Sequence, residues 1–115
     1  MAEISLEARV KGYTAGLDPV RPEIFEEFLI STSVYHRDAI ADRWDELTPS
    51  QRRSVERADA NFIRHAARIA EWCEHDGLWC DREFHRIPIE RWWWWADMTA
   101  AGTYPQQNLP AAARP

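Results

Sequence analysis

Four consecutive tryptophans, Trp92-Trp93-Trp94-Trp95, restrict what this chain can fold into more than any other feature of its sequence. Successive residues on an α-helix step about 100° around the axis, so four of them encircle it. On a strand, two rings would point to each face. Neither geometry lets one flank of a domain bury all four. An indole presents up to about 250 Å², and burial is worth about 25 cal/mol per Å², so each ring left in water forgoes several kcal/mol. Three placements answer that cost. The segment can lie inside the domain, wrapped by helices and tail, since Trp is commonly highly buried. One or two rings can face a protein partner, where Trp is a preferred anchor. The rings can also sit at a membrane interface, although no basic face accompanies them as an interfacial anchor requires.

The body available to hide them is small. The chain has 115 residues, 45% apolar and 29% charged, the profile of one globular domain with one core. That balance excludes a wholly disordered chain. No apolar stretch approaches the ~20 residues that span a bilayer, and the N-terminus lacks a charged-then-apolar signal pattern. Net charge is −5, which argues against bulk attraction to nucleic acid. Cys73 and Cys80 are too few for a disulfide scaffold, and on one unbroken helix they would lie about 10 Å apart along the axis. Reduced thiols and a cytoplasmic location are the expectation.

Periodicity predicts a mainly α fold. Residues 3–11 alternate, with Ile4, Leu6, Ala8 and Val10 apolar between polar neighbours, which favours a short N-terminal strand. A helix carrying Leu6, Val10 and Tyr13 on one side is the alternative. Beyond the Gly16–Pro22 punctuation a helical arc runs through Phe25, Phe28, Leu29, Thr32, Tyr35, His36, Ala39 and Ile40, predicting a helix at about 23–46. Thr48-Pro49-Ser50-Gln51 has the residues of a capping box with proline at the first helical position. The second long helix follows at about 49–76, with Val55, Ala58, Phe62, Ala66, Ile69 and Cys73 as its stripe and Gly77 as its left-handed stop. Residues 78–88 read as a loop. A shorter Trp-rich helix at about 90–101 ends at Gly102. Residues 1–102 are expected to form a single helical domain, and the Pro/Ala-rich tail 103–115 to be mobile unless a partner orders it.

Length adds a condition. A 28-residue helix is about 42 Å long, whereas a compact chain of this size has a diameter of about 35 Å. Either a long helix is broken, or the molecule is an elongated antiparallel hairpin whose flanks invite docking or self-association.

The chemistry-bearing residues are few. Trp92, Trp93, Trp94, Trp95, Trp79, Phe84 and Tyr104 are candidate partner anchors, with Glu26, Glu27 and Asp45 steering approach. Arg53, Arg57, Arg64 and Arg68 fall on one face of the second long helix, opposite its stripe. They read either as an anion-binding edge for phosphate or as an ordinary solvated face. Cys73, His75, Cys80 and His85 have residue types that bind zinc, but their order, Cys-x-His-x4-Cys-x4-His, matches no standard knuckle, and Cys73 lies along the apolar stripe. No cofactor is expected. His36 and His65 lie on apolar margins and could meet across a hairpin, as ordinary core-edge histidines rather than an acid–base pair. No Gly-rich phosphate loop, nucleophile elbow or H-E-x-x-H motif is present, so no catalytic residue is assigned and an enzyme is not expected.

As a class, the chain resembles inhibitors, immunity proteins, antitoxins and phage-encoded anti-defence proteins, which are often short, acidic and mainly helical. That likeness rests on no specific motif. The function expected is therefore a non-enzymatic protein-binding module docking through an aromatic patch, an inhibitor being one form of it. The alternatives are a structural subunit or homodimer, and a nucleic-acid-associated protein using the Arg face.

Overall fold

The computed structural model describes residues 4–25 and 29–113, and within them the chain is mainly helical, with six α-helices and no strand. The helices are α1 (Leu6–Thr14), α2 (Leu29–Asp42), α3 (Pro49–Arg64), α4 (Ala66–His75), α5 (Leu78–Phe84) and α6 (Ala96–Ala101). Short 3-10 turns cover Pro22–Phe25, Trp44–Glu46, Trp92–Trp94, Gln106–Asn108 and Ala111–Ala113. No helix is long and apolar enough to cross a membrane among the described residues.

The predicted N-terminal strand is a helix. Ser5 caps it, its hydroxyl accepting from the Ala8 amide at 3.1 Å, and Leu6, Val10 and Tyr13 are buried at helical spacing while Ile4 stays half exposed. No strand among the described residues is available to pair with it, so the period of two had nothing to satisfy its backbone. α1 packs instead along α2 and α3.

The length condition resolves through breakage. The molecule measures 34 × 33 × 29 Å with a radius of gyration of 13.3 Å. The 49–76 segment begins with the expected capping box, Thr48 and Gln51 exchanging side chain-to-amide bonds of 3.1 and 2.9 Å. It then breaks at His65, which leaves helical geometry at φ −104°, ψ 21°. There the imidazole Nδ1 lies 3.0 Å from the Asn61 carbonyl, which also accepts the His65 amide. The apolar stripe survives the break: Val55, Ala58, Phe62, Ala66, Ile69 and Cys73 are all buried. The 23–46 segment is likewise shorter than predicted, a 3-10 turn, then α2, then a second 3-10 turn after Arg43. Its stripe is also rotated. Ile30, Val34, Arg37 and Ile40 face the core, while Thr32 and Tyr35 of the predicted arc are exposed.

Two further segments differ from expectation. The predicted loop after Gly77 contains α5, for Gly77 takes its left-handed φ of 76° and the chain turns straight into another helix with Leu78 buried. The 90–101 helix is a 3-10 turn through Trp92–Trp94 followed by α6, hinged at Trp95 and closed by Gly102 at φ 77°. Beyond it, Tyr104 and Leu109 are buried, the Tyr104 hydroxyl donating to the Ile89 carbonyl. The 111–113 turn packs on α3.

Candidate functional site

The tryptophan run folds inward. Trp92, Trp93 and Trp94 are each at most 5% exposed, and Trp95 is half-buried. A 3-10 turn sends three successive side chains in three directions about 120° apart, and here each direction meets protein. Trp92 meets Phe62 of α3 edge-on at 5.4 Å. Trp94 meets Tyr35 of α2 edge-on at 5.2 Å. Asp38 of α2 holds the turn, one carboxylate oxygen accepting from Trp93 Nε1 at 2.8 Å, Trp94 Nε1 at 2.9 Å and Arg91 Nη1 at 2.9 Å. Arg91 also donates to Asp42 at 2.6 Å.

Beneath the rings lies an ion pair that the sequence reading missed. Arg37, 6% exposed, donates from Nε and Nη2 to the two oxygens of Asp59 at 3.0 and 3.1 Å. Tyr13 donates to the same carboxylate at 2.6 Å. Arg37 Nη1 has no hydrogen-bond partner among the described residues. The guanidinium carbon sits 4.4 Å from the Trp93 ring centre, with Trp44, Trp92 and Tyr13 between 5.3 and 5.9 Å, so ring faces carry the remaining charge. Burial pushes the Asp59 carboxyl above its ordinary range, while Arg37 and Tyr13 pull it back. Burial pushes the Tyr13 hydroxyl well above its ordinary value, reinforced by Asp59. A cavity of about 390 Å³ adjoins the pair, also lined by Trp44, Glu56 and Pro110. Asp59, on the cavity wall, has its two oxygens engaged by Arg37 and Tyr13, which ties α1, α2 and α3 together. The signal that could have found it is a charged residue at a stripe position: Arg37 stands three residues from both Val34 and Ile40, and Asp59 four after Val55 and three before Phe62.

The other proposed anchors are dispersed. Tyr104 is in the core. Trp79 and Trp95 are half-buried beneath Arg82, whose guanidinium carbon lies 4.4 and 4.1 Å from their ring centres and whose Nη1 donates to Asp97 at 3.0 Å. Trp95 Nε1 donates to the Pro88 carbonyl at 3.1 Å. Phe84, at the end of α5, is 82% exposed. Its ring meets His85 edge-on at 5.1 Å, and His85 in turn meets Tyr35 edge-on at 6.5 Å; the Tyr35 hydroxyl donates to Asp81 at 3.2 Å. Glu26 and Glu27 lie outside the described residues. Asp45 is fully exposed, 3.9 Å from Arg52.

The arginine face of α3 and α4 is only partly free. Arg57 pairs with Asp18 at 3.1 Å, Arg68 lies 4.0 Å over the Phe25 ring, and Arg64 donates to Asn61 at 3.2 Å. Arg53 is exposed. Of the zinc-type residues, Cys73 is buried with its thiol pushed up to about 12, chiefly by burial, whereas His75, Cys80 and His85 are exposed. Both thiols are free, and among the described residues no three His, Cys, Asp or Glu side chains converge as a metal ion requires. His36 and His65 do not pair: His36 Nδ1 lies 3.3 Å from Arg9 of α1, and His65 bonds its own helix. No family model matches the chain, and no curated protein or solved structure is significantly similar to it.

Proposed function

We propose that this chain is a non-enzymatic protein-binding module that docks through the exposed face of α5, not through its tryptophan run. The observation that carries the reading is Phe84. In a molecule that seals three consecutive tryptophans away from water, this ring alone among the described large apolar side chains is more than four-fifths exposed. An exposed aromatic ring held on a helix, with His85 against it and Tyr35 beyond His85, has the chemistry of an interface anchor. The two free thiols suit a reducing cytoplasm. An inhibitor would use such a face to cover a partner's working surface.

Site-specific photo-crosslinking tests this. A photo-reactive phenylalanine analogue in place of Phe84 should form covalent protein adducts, and the same analogue in place of Arg53 on α3 should not. Equal adducts at both positions, or none at Phe84, would remove the face from consideration.

A further inference from the structure

Two donors beside one tryptophan lack partners. Arg37 Nη1 and Arg52 Nε are each shut off from water, and neither has a hydrogen-bond partner among the described residues. Both guanidinium groups stand against Trp44, their carbons 5.3 and 5.7 Å from its ring centre. Buried polar groups in folded proteins almost always find a partner, so two unmet donors at one ring call for an acceptor.

Space for that acceptor adjoins them. The cavity of about 390 Å³ beside the Arg37–Asp59 pair has apolar walls from Trp44, Ala60 and Pro110, and its one other charged group is Glu56. A second cavity, of about 240 Å³, shares Arg37 and Trp44 with the first. The larger one falls in the size range of small-molecule sites.

Charge decides which acceptor fits. Asp59 already neutralises Arg37 through Nε and Nη2, so Nη1 needs an acceptor but no further negative charge. Glu56 stands three residues before Asp59 on α3, one helical turn away, and is exposed. Its charge reaches the pair, adding to burial in pushing the Asp59 carboxyl up. An anionic ligand would therefore be repelled, whereas a neutral carbonyl oxygen would not. Glu56 makes no hydrogen bond or ion pair among the described residues, and its carboxylate is free to accept an N–H.

We infer that this cavity binds a small, neutral, planar lactam, a ring that carries a carbonyl beside an N–H. The oxygen accepts from Arg37 Nη1, the N–H donates to Glu56, and the ring lies against Trp44. The 110–113 segment, which forms part of the wall, gives way as the ligand enters. This site is separate from the α5 face and does not depend on it.

The test titrates 2-quinolone and thymine into isotope-labelled protein, followed through its amide and indole N–H resonances. The Trp44 indole and Ala60 amide signals should shift and saturate, with a dissociation constant at or below about 1 mM for 2-quinolone. Quinoline, which lacks the carbonyl, and quinoline-2-carboxylate, which adds a charge, should each bind roughly tenfold more weakly or worse. Glu56→Ala should weaken 2-quinolone roughly tenfold, and Ala60→Leu, with its circular dichroism unchanged, should abolish binding by filling the cavity. The series of ligands decides the matter even if Ala60→Leu misfolds. No saturable shift with either probe overturns the inference and leaves the Trp44 ring as the partner of both donors. Equal binding of quinoline or of the carboxylate overturns it too, as do shifts confined to residues away from Trp44 and Ala60.

Discussion

Trp92–Trp94 and Phe84 lie within eleven residues of one another, yet one group is sealed in the core and the other is 82% exposed. The difference lies in what each segment finds to bond. The tryptophan turn inserts polar handles along with its rings, and Asp38 accepts two indole N–H groups at 2.8 and 2.9 Å. Arg37 adds a cation against the ring faces. Phe84 has no polar atom to anchor, and its helix is only seven residues long, with Leu78 as its buried residue. Aromatic density alone therefore does not mark a docking surface. Burial of an aromatic run depends on whether the interior offers acceptors for its N–H groups and cations for its faces.

Substitutions should separate the two regions, beginning inside. Trp94→Ala removes a fully buried ring and should cost about 3–5 kcal/mol in urea unfolding. Arg37→Met strands the buried Asp59 carboxylate and should cost a similar amount, about 3–5 kcal/mol. A loss below about 1 kcal/mol for either would break the account of the interior. Asp38→Ala leaves the Trp93 and Trp94 N–H groups without their acceptor and should cost about 1–3 kcal/mol, with near-ultraviolet dichroism changing first.

A pH series probes the seat of α1 on α2. Burial, aided by Arg9, lowers the His36 pKa from its ordinary 6.5. The unfolded chain therefore takes up the proton first. Stability should be full above about pH 6.5 and decline as pH falls below it. His36→Gln should flatten that part of the slope, and an unchanged slope would exclude His36 as the cause. The smallest effect belongs to the surface: Phe84→Ser should shift stability by no more than about 0.5 kcal/mol. A larger loss would mean that the ring serves the fold and not a partner.

Much of the fold was legible because local rules decided it. The Thr48–Gln51 box, the buried stripe from Val55 to Cys73 and the left-handed glycines at 77 and 102 all formed where the residues indicated. The α2 stripe was read out of phase because its central member, Arg37, is charged, and pattern reading counts charge as surface. The same assumption hid Asp59. The exposed face of α5 was obscured by assigning residues 78–88 to a loop, since a helix of seven residues shows too few turns for a period to emerge. Phe84 was among the candidate anchors, but nothing in the sequence separated it from the tryptophans around it.

Composition, capping and periodicity determined that this chain is mainly helical, where its best-marked helix begins and which residues line the α3–α4 stripe, because those properties depend on neighbours within a few positions. Only the tertiary structure decided where the long helices break, that an arginine would be enclosed by aromatic rings, and that the tryptophans would turn inward while a lone phenylalanine stayed outside. Those outcomes rest on contacts between residues twenty to sixty positions apart, such as Arg37 with Asp59 and Asp38 with Trp94. Pairings of that span leave no local pattern in the chain.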